Sequence, residues 1–91
     1  MSKKPVFTSR FKKDYKKILK QEGKDESKFE ALIAKLVAQE PLESKYQDHK
    51  LAGQFKDCRE CHIEPDWLLI YQSTESEIIL IRTGSHSELF R

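Results

Sequence analysis

The chain of 91 residues has no apolar run near the ~20 residues that a membrane-spanning helix requires, so no such span is expected. Its first residues, MSKKPVFTSRFKKDYKK, carry positive charge with no apolar segment behind it. That argues against a secretory signal and makes the cytoplasm the expected compartment. Cysteine is scarce: Cys58 and Cys61 are the whole supply, and in a reducing compartment two thiols so placed are not a structural staple. The single methionine is residue 1, which leaves no methionine to act as an axial haem ligand. There is no internal repeat, low-complexity stretch or linker. Length and continuity together predict one domain over residues 1–91 with a small single core.

Charge is what the chain has in plenty. Residues 1–28 hold ten Lys/Arg against four Asp/Glu, and residues 29–91 hold seven against eleven. The balance is +6 in the first part and −4 in the second, so the small net charge of +2 hides a strongly basic front. Such a front suits phosphate or an acidic partner, although a solvated helix face is the plainer reading of a lysine run.

Residues 5–8 (PVFT) read as a short strand, and Ser9 as the N-cap of a helix over 10–21 that Gly23 closes. Phe11, Tyr15, Ile18 and Leu19 share one face of that helix, with lysines between them facing water. Ser27 and Glu30 have the spacing of a capping box. Phe29, Leu32, Ile33, Leu36 and Val37 then mark a second helix that ends near Glu40, before Pro41. The two helices read as a hairpin with a shared apolar seam. Residues 41–54 look irregular. After them the period changes to that of strands: Cys58–Glu64, Trp67–Gln72 and Glu77–Arg82, followed by the tail SHSELFR. The order β-α-α-β-β-β predicts an α+β fold, a two-helix hairpin packed on one face of a mostly antiparallel sheet.

The run CRECH, residues 58–62, matches the spacing of a c-type haem attachment site and half of a zinc site. A strand there defeats both readings. Neighbours in a strand alternate faces, so Cys58, Glu60 and His62 point one way and Arg59, Cys61 and Ile63 the other. Two thiols on opposite faces cannot hold one metal, and no second C-x-x-C completes a tetrahedral zinc site. Cys61 then reads as a small buried residue, and no metal or cofactor is expected.

The histidines carry more. His49 lies in the loop before the sheet, His62 late in a strand, and His86 just after the last strand, with Asp66 in the hairpin beside His62. Consecutive pairing of the strands can bring these segments to one end of the sheet. Phosphodiester cleavage in RNA needs a proton taken from the 2′-hydroxyl and one given to the 5′-oxygen, and imidazole does either near neutral pH. Arg82 can stabilise the phosphorane oxygens. Trp67, Tyr71 and Phe90 offer planar faces to unpaired bases, with core packing as the plainer role for Trp67 and Phe90.

The run YQDHKLAGQFKDCRECHIEPDWLLIYQ, followed by IRTGSHSELF, resembles the YafQ-type toxins of the RelE/ParE superfamily. D-H-x-L-x-G, R-[DE]-x-H-[IV]-x-P-D-W-[IL]-L-[IV]-Y and R-x-G-[ST]-H-x-x-L-F are intact from about Tyr46 to Phe90, and the helical half matches in pattern only. The resemblance implies the toxin of a bacterial type II toxin–antitoxin pair, an mRNA interferase that cuts mRNA in the A site of the 70S ribosome without metal. It further implies a cognate antitoxin that silences the toxin, with operator DNA reached only through that antitoxin. The family's active-site positions fall on His49, His62, Asp66, Trp67, His86 and Phe90, with the neighbouring basic residue at Arg82. His86 is then the expected general acid, and His49 or Asp66 the general base. His62 orients a partner or contacts phosphate, and Trp67 and Phe90 stack on or position RNA. Lys12, Lys13, Lys16, Lys17 and Lys20 are expected to dock on ribosomal RNA through phosphates. The rival is a ParE-like toxin that inhibits gyrase by binding alone, which has no use for three histidines and an aspartate at one site.

Overall fold

The computed structural model describes residues 2–21 and 23–90. Within them the chain forms β1 (Lys4–Phe7), α1 (Ser9–Ile18), α2 (Glu26–Val37), β2 (His49–Lys50), β3 (Arg59–Glu64), β4 (Trp67–Ser73), β5 (Glu77–Gly84) and α3 (His86–Leu89). The five strands make one sheet in the order β1-β5-β4-β3-β2. β1 runs parallel to β5, and every other pairing is antiparallel. The fold is therefore α+β with a helical pair on a mostly antiparallel sheet, as the sequence pattern predicts. To that pattern it adds a two-residue strand, β2, inside the stretch expected to be irregular, and the terminal turn α3.

The helices start on caps other than those expected. Thr8, not Ser9, caps α1, its Oγ1 accepting from the Phe11 N–H at 3.1 Å. Thr8 Oγ1 also donates to the Leu80 carbonyl at 2.8 Å, so one hydroxyl both starts the helix and ties it to β5. Asp25 caps α2 by accepting from Ser27 N at 2.9 Å, and the Ser27 hydroxyl is spent on the same carboxylate at 2.6 Å. A charged cap on the positive end of a helix outcompetes a neutral hydroxyl two residues later.

β4 explains how the molecule is layered. Trp67, Leu68, Leu69, Ile70 and Tyr71 are all buried in succession, so both faces of this central strand are covered. On one face Trp67, Leu69 and Tyr71 meet Phe11, Ile18, Phe29, Leu32 and Leu36 of the helices, together with Cys61 and Ile63. On the other, Leu68 and Ile70 meet Leu89 of α3 with Leu51, Phe55, Cys58, Ile81 and Phe90 around them. Cys58 and Cys61 thus lie on opposite faces of the sheet. Burial pushes both thiols up in pKa, Cys61 the further because it has no exposure.

Candidate active site

The site grows from the thinner face of the sheet. In the β2–β3 ladder His49 stands directly opposite Glu60, and residues so paired project to the same side. His62 follows two positions after Glu60 on that side. Glu60 is 5% exposed, one of only two buried polar residues among those described. Its Oε1 lies 3.5 Å from His49 Nε2 and 3.4 Å from His62 Nε2. Each ring is also held at its other nitrogen: His49 Nδ1 is 2.8 Å from the Gln47 carbonyl and His62 Nδ1 is 3.1 Å from the Pro65 carbonyl. A carbonyl oxygen and a carboxylate oxygen both only accept, so each ring faces an acceptor at both of its nitrogens. Each Nε2 thus has the same carboxylate oxygen beside it.

A second group forms around α3. The Asp66 carboxylate in the β3–β4 connection accepts from the His86 backbone N–H at 3.0 Å. The His86 ring sits 5.1 Å from the Phe90 ring, and Phe90 meets Phe55 edge-on at 5.7 Å. His62, Leu68 and Gly84 are aligned across β3, β4 and β5, so the Glu60 group and the α3 group share one end of the sheet. His49 belongs to a strand rather than to a loop, and Asp66 is engaged with the amide of His86.

Three expected residues are placed differently, the first being Tyr71, which is buried and whose hydroxyl donates to Asp48 Oδ1 at 2.7 Å. Trp67 has no exposed surface, and its indole N–H donates to Thr83 Oγ1 at 2.9 Å. It cannot stack on a base, and its place is the core beneath the site, where Thr83 in turn donates to the Leu68 carbonyl at 2.7 Å. Arg82 is clamped by Asp14 of α1, Nε to Oδ2 at 2.7 Å and Nη2 to Oδ1 at 3.2 Å, so its charge is already matched. The pair lines a cleft of about 500 Å³ with Arg10, Lys13, Lys17 and Glu88. Lys12, Lys13, Lys16 and Lys17 are exposed on α1, and Lys20 is exposed in the turn after it, because the helix ends at Ile18. Phe90 is half-buried.

Glu60 and Asp14 are the residues sequence reasoning missed. A glutamate inside a strand reads as solvent-facing by hydropathy. Its signal is the position two before His62, which puts both on one face. Among the described residues no group of three or more His, Cys, Asp or Glu is arranged to hold a metal ion. No helix is long and apolar enough to cross a membrane among them.

A family profile described as bacterial toxin of type II toxin-antitoxin system, YafQ, matches residues 3–91. The mRNA interferase toxin YafQ of Escherichia coli K12 is 48% identical over 50 residues, 55% of this chain and 54% of that protein. That match therefore spans about half the length of the curated relative. The fold is shared with the toxin in a solved E. coli DinJ–YafQ complex, at TM-score 0.87 and 37% identity over 98% of this chain and 99% of that one. It is also shared with a copper-bound mutant toxin from Helicobacter pylori, at TM-score 0.89 and 46% identity over 99% of this chain and 100% of that one.

Proposed function

The chain belongs to the YafQ family of type II toxins, and from that premise we propose that it is a ribosome-dependent endoribonuclease of the wider RelE/ParE superfamily, cutting mRNA in the A site. The observation that carries the chemistry is the buried Glu60 shared by the Nε2 atoms of His49 and His62, set at the same sheet end as His86. In this reading the 2′-hydroxyl proton passes to Nε2 of His49 or His62. The 2′-oxygen bonds to phosphorus, and the 5′-oxygen departs with a proton from His86. The ends are a 2′,3′-cyclic phosphate and a 5′-hydroxyl, and no water, metal or cofactor is consumed. Glu60 offsets the positive charge that appears on the base. Asp66 serves by fixing the His86 main chain rather than as the base. Arg82 serves the phosphorane by turning from Asp14, and Phe90 positions RNA beside His86. Lysines of α1 bind ribosomal phosphates.

The partners follow the family. E. coli YafQ is solved with the antitoxin DinJ; for this chain a cognate antitoxin is proposed, with operator DNA contacted through it, and a cytoplasmic location. The test is primer extension on mRNA in a translation extract. Protein-dependent stops within codons on ribosome-bound message, absent on His86→Ala, are the expected result. DNA-break markers with intact message would instead mean a gyrase inhibitor.

A further inference from the structure

α3 has four residues, far below the ~12–15 at which an isolated helix becomes even marginally stable in water. Something outside its own ladder must hold it, and with it the ring of His86. The hydrogen bonds around it supply the answer. Glu88 Oε1 accepts from the Ser85 N–H at 2.8 Å, and Ser85 Oγ accepts from the Glu88 N–H at 3.3 Å. This reciprocal pair satisfies two backbone donors at the start of the helix. The Ser85 carbonyl accepts from Leu89 N at 3.1 Å, and Leu89 is packed into the thinner core face. The fit is close: a Cβ on Gly84 would stand 3.2 Å from Glu88 Oε1. Glu88 also meets Lys17 of α1, Nζ to Oε2 at 3.3 Å, but that lysine is 72% exposed, and such pairs contribute little.

We propose that Glu88 is a positioning residue for His86: its reciprocal cap with Ser85, rather than its charge, holds the one-turn helix that aims the imidazole. This rests on the ribonuclease reading of the site. The forces on Glu88 agree in rank. Its carboxyl is held below the usual range first by the Ser85 backbone N–H, against the opposing effect of burial, and only last by Lys17. Asp66 fixes the same turn from the other side through the His86 N–H. The helix bearing the acid is therefore set by two carboxylates that need not touch RNA.

Glutamine keeps the accepting Oε1 and drops the charge, whereas alanine removes both, so the two variants separate capping from charge. The purified chain and its Glu88→Gln and Glu88→Ala variants are compared first by NMR, through the Cα shifts of residues 86–89. They are then compared by single-turnover cleavage on programmed ribosomes at saturating toxin. Expected are helical shifts in the wild type and Glu88→Gln but not in Glu88→Ala. The saturated rate of Glu88→Ala should be about 10- to 100-fold lower, the scale of a small misplacement of a catalytic group. Its half-saturating concentration should be unchanged within twofold, and Glu88→Gln should keep most of the rate. Equal losses in Gln and Ala overturn the proposal, because charge would then be what matters. Helical shifts that persist in Glu88→Ala overturn it whatever the RNA does. A wild type that cuts no message counts against the ribonuclease reading, while the NMR comparison still decides whether the cap exists.

Discussion

A departing 5′-oxygen is strongly basic, so the group that protonates it bears on the rate most directly. His86 is free for that work: its backbone is tied down by Asp66 while its ring lies against Phe90. His86→Ala should lower single-turnover cleavage by about 10²–10⁴, the usual share of a general acid. A substrate with a 5′-thiolate leaving group, which needs no proton, should restore the variant and hardly change the wild type. No restoration, with ribosome binding normal, moves the acid role to His49 or His62. The cysteines are the opposite case. Cys61 packs beneath the sheet and Cys58 above it, each thiol kept protonated by burial, with Asp57 adding to the effect at Cys58. Cys58→Ser with Cys61→Ala should keep cleavage within a few-fold and lose about 1 kcal/mol of stability, typical of small core truncations. A larger loss of rate at full folding, by circular dichroism, would give the thiols a part in the chemistry.

At the scale of elements, α1 separates into two faces with separate duties. Phe11 and Ile18 are buried against the sheet, and the lysines stand in water. Lys17 is drawn toward Glu88, so Lys12, Lys13 and Lys16 isolate the proposed docking face. Changing these three to Gln should weaken ribosome binding and flatten its dependence on salt, because fewer counterions are released. The saturated cleavage rate should stay within a few-fold; a large fall with affinity intact places these lysines in the chemical step. α3 responds to acid instead. The Glu88 carboxyl is held below its ordinary range in the folded state, so the extra hold of the charged form is fully present above the unfolded carboxylate range, about pH 4.3, and is lost as pH falls through the lower folded value, while the protonated carboxyl keeps a carbonyl oxygen that accepts the Ser85 N–H as that of glutamine does. The Cα shifts of residues 86–89 should therefore stay helical at pH 5 and weaken only in part below pH 4; their complete loss there would mean that charge, not the accepting oxygen, holds the cap.

For the whole molecule, what could be foreseen depended on range. The helices announced themselves because Phe29, Leu32, Ile33 and Leu36 repeat at the period of a helix, and β4 because WLLIY is an unbroken apolar run. β2 escaped because two residues carry no period, and the β1–β5 pairing because Lys4 and Glu77 are joined by no local signal. The histidines of the site were legible from their motif, Glu60 was not, because burying a carboxylate contradicts its hydropathy, and Trp67 was ambiguous because a large ring suits a core as well as a base. Core placement makes a prediction of its own. Leu69 has no exposed surface at the middle of β4, so Leu69→Ala should cost about 2–5 kcal/mol in urea unfolding. A loss under 1 kcal/mol would mean the helices close the gap.

The parallel pairing of β1 with β5 has a consequence for how the chain comes off the ribosome. β5 is the last strand made, yet it lies between β1 and β4. Until it emerges, β1 has no strand to pair with, β4 has one bare edge, and α1 has only α2 and β4 to settle on. A nascent chain ending before Glu77 thus has β2, β3 and β4 paired but no strand partner for β1, and residues 1–76 alone should unfold less cooperatively than the full chain. His86 comes later still, after the strand that completes the sheet. Order of synthesis therefore bears on the site: the turn that carries His86 gains its supporting strand only once β5 has been made.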